Sequence, residues 1–168
     1  SLHPRSKKYL FLFFPKVFIL TFFHIFMKNK KQEYQKIVDD LIKKSFPELK
    51  KRKIKVVYAP MLKKYSGGAL YPFSWIFLSK KTDSYSKILI KGLLAHELAH
   101  LEIFYLRNFF KNLFIGAGYH LKSKIRKIEE DNAIKLAVER GYAKEHYELT
   151  KLSEKLHGKS LHKYYMTA

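Results

Sequence analysis

A chain of 168 residues with 47% hydrophobic and 16% aromatic content suits one domain with a real core and excludes wholesale disorder. It has no cysteine, which excludes a disulfide framework, a Cys-type zinc finger and thiol chemistry, so a metal site must be built from His, Asp and Glu. The formal charge of +20, from 34 Lys+Arg against 14 Asp+Glu, attracts nucleic acid, anionic lipid or acidic polypeptide, yet Arg is scarce and bidentate guanine readout favours it, which disfavours a sequence-specific DNA reader.

Residues 1–26 differ from the rest. Tyr9 to Phe26, YLFLFFPKVFILTFFHIF, holds half of the phenylalanines behind Arg5, Lys7 and Lys8. Three readings stand side by side. The segment is an N-terminal anchor, a helix packed on the domain, or extraneous upstream translation, because Pro15, Lys16 and His24 interrupt it and Met27 opens a clean amphipathic sequence. A start at Met27 implies a cytoplasmic protein, whereas a genuine leader implies membrane anchoring through residues 9–26. Residues 27–168 form one domain and keep a charge of +16.

Gln32 to Phe46 carries Tyr34, Ile37, Val38, Leu41 and Ile42 at helical spacing and stops before Pro47, which predicts a helix. A linker, PELKKRK, leads to Ile54–Tyr58, IKVVY, which reads as a strand. Tyr65 to Gly68 reads as a turn. Ala69 to Ser79 is aromatic and extended, and Pro72 predicts an edge strand or a break into two short strands. Asp83, Ser84 and Ser86 offer caps for a helix through KILIKGLLAHELAHLEIFYL. Beyond an aromatic, basic stretch from Arg107 to Ser123, the pattern predicts a helix from Lys124 to Arg140 stopped by Gly141, then a last helix from about Ala143 to Leu156. The fold class that follows is α+β, a small twisted sheet with an open edge strand packed on helices.

Within the central helix, H-E-L-A-H puts His96 and His100 four residues apart, so both imidazoles leave one face and can hold one metal ion. Leu93, Leu94, Leu98, Ala99 and Leu101 make this helix apolar nearly all round, so it is buried, and buried His and Glu need partners. Zinc with an open position lowers the pKa of a bound water, and Glu97 suits the general base that takes its proton. A third ligand is not found nearby, since Ile103 and Leu106 stand where a metzincin has glycine and histidine. In KIEEDNAIKLAVERGY, Glu130 lies in register with Ala133, Ile134 and Ala137 and points toward the core, which makes it the candidate ligand ahead of Glu129. Glu129 and Asp131 flank that stripe and face solvent or brace the site.

HELAH followed about thirty residues later by a glutamate helix ending in ERGY resembles the gluzincin metallopeptidases, above all the compact minigluzincins, over approximately Ile54 to Tyr147. The resemblance implies a minimal zincin-like domain with one catalytic zinc on His96, His100 and Glu130. It also implies an endopeptidase acting on peptides or unfolded protein, with Glu97 as general base. The family's glutamate helix often carries Asp where Ile134 stands here, which removes a customary partner for a metal ligand. Extended substrate is implied to pair with the strand before the active-site helix, here Ala69 to Ser79, with Trp75 and Phe77 as contacts. Tyr119, His120, Tyr142, His146 and Tyr147 are candidates for stabilising an oxyanion. Small relatives resemble latent zymogens, and the tail HGKSLHKYYMTA offers His157 and His162 to the cleft.

Two other functions remain open from sequence. The charge suits a DNA-associated SprT-like metalloprotease, although no zinc ribbon, arginine cluster or recognisable DNA-binding motif accompanies it. The aromatic, basic run from Leu101 to Leu121 suits a non-catalytic metal-binding protein at a membrane surface, or a lid over the site.

Overall fold

The apolar stripe of the first helix (α1, residues 28–45) is buried at Tyr34, Val38, Leu41 and Ile42, as its periodicity predicts. A computed structural model of the chain describes residues 28–61, 66–107, 112 and 123–157. The leader 1–26, Met27, Tyr119, His120 and the tail from Gly158 lie outside the described residues.

Pro47 ends α1 and opens a single 3-10 turn, Pro47–Leu49, that buries Leu49 under the helix. The chain then enters strand β1 (Lys55–Tyr58), followed by β2 (Gly67–Leu70) and β3 (Trp75–Leu78). The sheet order is β1-β3-β2, with β1 parallel and β2 antiparallel to β3. Two expectations are thereby corrected. Gly67 and Gly68 are strand residues and not a turn, because both face β3 partners, Leu78 and Phe77. The segment from Ala69 to Ser79 does break at Pro72, through a 3-10 turn at Tyr71–Phe73, but its second half is the central strand and has no open edge.

Both outer strands, β1 and β2, are sheet edges. Gln35 on α1 occupies the start of the β1 edge, since its Nε2 donates to the Ile54 carbonyl at 3.0 Å and its Oε1 accepts from the Val56 amide at 2.8 Å. The other edge belongs to β2. Ser66 and Ser79 exchange a ladder bond, Ser79 N–H to Ser66 O at 2.9 Å, so the alternation of an antiparallel pair turns the amides and carbonyls of Gly67 and Ala69 outward.

A third 3-10 turn, Lys80–Ser84, delivers the chain to helix α2 (Lys87–Leu106). Of the three cap candidates, Ser86 is the N-cap, its hydroxyl accepting from the Leu89 amide, while Asp83 and Ser84 lie inside the preceding turn. Asp83 instead accepts from the Tyr58 hydroxyl at 2.7 Å and ties the turn to β1. Helix α2 is the centre of the molecule. Its Leu94 and Leu98 are fully buried with Val56, Ile76 and Leu78 in one core, each such side chain contributing about 1.5–3 kcal/mol on burial.

Helix α3 (Ser123–Ala137) packs against α2 through Ala133 and Ala137, both fully buried and small enough for close approach. Gly141 has the positive φ expected of it, +93°, and interrupts the helix there as the sequence predicts. The turn Val138–Tyr142 kinks at Gly141, and helix α4 (Ala143–His157) starts anew beyond it. Arg140 on this turn reaches Glu102, which is fully buried on α2, and pins the bend to the core.

Candidate metal centre

The periodicity of α2 brings the Nε2 atoms of His96 and His100 to 3.1 Å from each other. Helix α3 adds Glu130, whose Oε2 lies 3.2 Å from His96 Nε2 and 3.5 Å from His100 Nε2. The three donor atoms thus mark a near-equilateral triangle. Ligand bonds of 2.0–2.2 Å to a tetrahedral ion place donors about 3.4 Å apart, so the triangle already has the dimensions of one face of such a site. Among the described residues this is the one group of three His, Asp or Glu side chains with donor atoms within 4.8 Å of one another, and it could hold a metal ion.

The charges around the triangle call for a cation. Burial disfavours the His100 imidazolium, yet the hydrogen bond it donates to Glu130 and the carboxylates of Glu97, Glu130 and Glu129 outweigh it and raise the His100 pKa. Burial likewise opposes ionised Glu130, but hydrogen bonds and charge from His100 and His96 hold its carboxyl far below the usual range. Glu97, buried at 6% exposure, has its pKa raised by burial, with His96 and His100 opposing and Glu130 assisting that rise.

Helical register named Glu130 as the candidate ligand and allowed Glu129 as a brace, and the geometry agrees with both, but it took Glu130 for the more buried of the two. Glu129 is the core-facing residue, at 9% exposure and one turn before buried Ala133, whereas the Glu130 side chain is 38% exposed at the rim of the stripe and turned to the histidines. Glu129 is a brace. Its two oxygens take both ends of the Arg107 guanidinium, a bidentate pair that joins the C-terminal end of α2 to α3 one residue from Glu130. Asp131 is half-buried and outside the triangle.

The oxyanion candidates separate on inspection. Tyr142 is a core residue, its ring stacked on Phe46 at 6.1 Å and its hydroxyl 2.9 Å from Ser45 Oγ. Tyr147 lies on α4 beneath the Lys151 ammonium at 4.4 Å. His146 sits behind His96 and not in front of it, its Nε2 3.3 Å from His96 Nδ1, the ring nitrogen turned away from the triangle. Burial, with the nearby His96 ring, pushes the His146 pKa down to about 3, so this imidazole is neutral. Trp75 and Phe77 are not turned to the site either. They alternate with Ile76 and Leu78, which face the core shared with α2, and so occupy the opposite sheet face.

Tyr71 was not singled out by sequence. It lies on the turn between β2 and β3, its ring 5.1 Å from Phe104 and 6.3 Å from His100, and it forms a wall of the site. Burial and then the charges of Glu97, Glu130 and Glu129 raise its phenol pKa. Tyr105 holds that turn, donating to the Tyr71 carbonyl at 3.0 Å and meeting Ser74 Oγ at 2.5 Å, where Ser74 occupies the left-handed region at φ 55°. A tyrosine 25 residues before His96 carries no local signal of its role.

No helix among the described residues is long and apolar enough to cross a membrane. No protein-family model, curated protein or solved structure matches this chain.

Proposed function

We propose that the chain is a zinc-dependent endopeptidase of the gluzincin type, with His96, His100 and Glu130 as metal ligands and Glu97 as general base. The observation that supports it most is the triangle of Nε2, Nε2 and Oε2 atoms, contributed by two helices and sized for one tetrahedral ion. Two imidazoles and one carboxylate are a donor set that suits zinc and leaves a position open. Zinc bound there supplies Lewis acidity toward a peptide carbonyl and lowers the pKa of water near it.

The chain's own residues do the rest. The Glu97 carboxylate takes a proton from the attacking water and later returns it to the leaving nitrogen. Glu129 and Arg107 keep α3 in place so that Glu130 faces the histidines. Outward-facing amides and carbonyls of Gly67 and Ala69 on β2 supply an edge to which an extended peptide adds as a further strand, beside the wall formed by Tyr71.

The test is cleavage of a complex peptide mixture by the zinc-loaded chain, read by mass spectrometry against Glu97→Gln. New termini that depend on Glu97 support the peptidase reading and reveal side-chain preference. A zinc-loaded, folded chain that cuts nothing in any peptide class removes it.

A further inference from the structure

A histidine that binds metal through Nε2 carries its proton on Nδ1, and that N–H needs an acceptor to fix ring and tautomer. The atom facing His96 Nδ1 is His146 Nε2 at 3.3 Å. We infer that His146 is the positioning residue of the metal site, accepting from His96 Nδ1–H so that the His96 Nε2 lone pair is kept for the ion, with Thr150 orienting His146 in turn. The inference rests on the metal reading of His96, His100 and Glu130.

The donors run consistently in one direction. If His146 Nε2 accepts, its proton is on Nδ1, and Nδ1 lies 3.4 Å from Thr150 Oγ1. Thr150 can accept there because its own hydroxyl donates to the His146 carbonyl, one helical turn back, at 3.1 Å. Both residues are buried, at 4% and 5% exposure, where an unpaired polar atom is unfavourable. The reverse order, with His146 Nε2–H donating to His96 Nδ1, moves the His96 proton to Nε2 and blocks the metal-facing nitrogen.

The backbone is built to allow this contact. Gly92 on α2 lies one turn before His96, and Glu145 on α4 immediately precedes His146. A Cβ on Gly92 would stand 2.5 Å from the Glu145 carbonyl oxygen, so only glycine lets α4 approach closely enough for the two rings to meet, their centroids 5.3 Å apart.

The test uses the full chain and two readouts. Zinc affinity, measured by competition with a chromophoric chelator, is expected to fall about 10- to 100-fold in His146→Leu. His146→Gln keeps an acceptor and is expected to stay within a few-fold of wild type. In the zinc-loaded chain, 15N NMR of the imidazoles is expected to show a slowly exchanging His96 Nδ1–H with scalar coupling to His146 Nε2 in wild type, and a rapidly exchanging one in His146→Leu. Folded His146→Leu with wild-type zinc affinity, or a zinc-loaded wild type with no such coupling, overturns the inference. If His146→Leu fails to fold, the wild-type coupling decides. A wild type that binds no zinc sinks the metal reading, whereas zinc binding without the coupling sinks this inference alone.

Discussion

Gly92 and Glu145 touch backbone to backbone: a Cβ at Gly92 would come within 2.5 Å of the Glu145 carbonyl oxygen and 2.7 Å of its carbon. Gly92→Ala therefore opposes two effects. Helix propensity favours alanine by about 1 kcal/mol, while forcing packed helices apart costs about 1–3 kcal/mol. The expected balance is a net loss, seen as a lower Tm, with weaker zinc binding because α4 carries His146 away from His96. A Tm that rises in Gly92→Ala contradicts the close approach.

Zinc binding is expected to stabilise the folded chain, since an unfolded chain does not assemble the triangle. At a free zinc concentration of 100 times Kd the gain is about 2.7 kcal/mol, visible as a raised Tm that a chelator reverses. His100→Ala and Glu130→Ala are expected to abolish that rise. Glu129→Gln, which loosens the Arg107 pair but leaves all three ligands, is expected to lower Tm and retain the response to zinc.

Glu97→Gln separates chemistry from metal binding. Glu97 lies outside the triangle of donors, so zinc affinity is expected to stay within a few-fold of wild type. Loss of the general base is expected to lower kcat by about 100- to 10,000-fold. Equal losses in metal affinity and kcat instead make Glu97 a ligand.

The Glu102 carboxylate is fully buried and its Oε1 accepts from Arg140, while Glu102 Oε2 and Arg140 Nε have no hydrogen-bond partner among the described residues. Arg140→Leu leaves a buried carboxylate uncompensated and is expected to cost about 3–5 kcal/mol in urea unfolding. Glu102→Leu combined with Arg140→Leu is expected to recover most of that loss. A double variant no better than Arg140→Leu means that the pair acts through something besides charge.

Ala69→Pro tests the open edge. Proline is tolerated on an edge strand where its nitrogen faces outward, as the Ala69 nitrogen does, so the fold and zinc affinity are expected to persist. The amide that would pair with an extended substrate is gone, and peptide cleavage is expected to fall at least 10-fold, mostly in KM.

Local sequence was sufficient for α1, for α2 and for the relation of His96 to His100, because helical periodicity is a property of neighbours within a few residues. It also marked Gly141 as a left-handed position and Pro72 as a break. Register along α3 was less decisive. Glu129 and Glu130 are adjacent and separated by a 100° turn, so register ranks Glu130 first but the placement of α2 and Arg107 is what brings Glu130 to the histidines and Glu129 to the guanidinium.

The sequence by itself determined that two imidazoles and a carboxylate would share one buried helix, since those residues and their spacing are contiguous in the chain. Tertiary structure decided how the rest of the site is assembled. It brought Glu130, which register and resemblance already single out 34 residues beyond His96, to the histidines, put His146, 50 residues away, behind the same ring, and made β2 an edge by threading β3 between β1 and β2. Such contacts follow from helix packing at Gly92, Ala133 and Ala137 and from strand order, which are set by the whole core and leave no periodic mark near the residues they bring together.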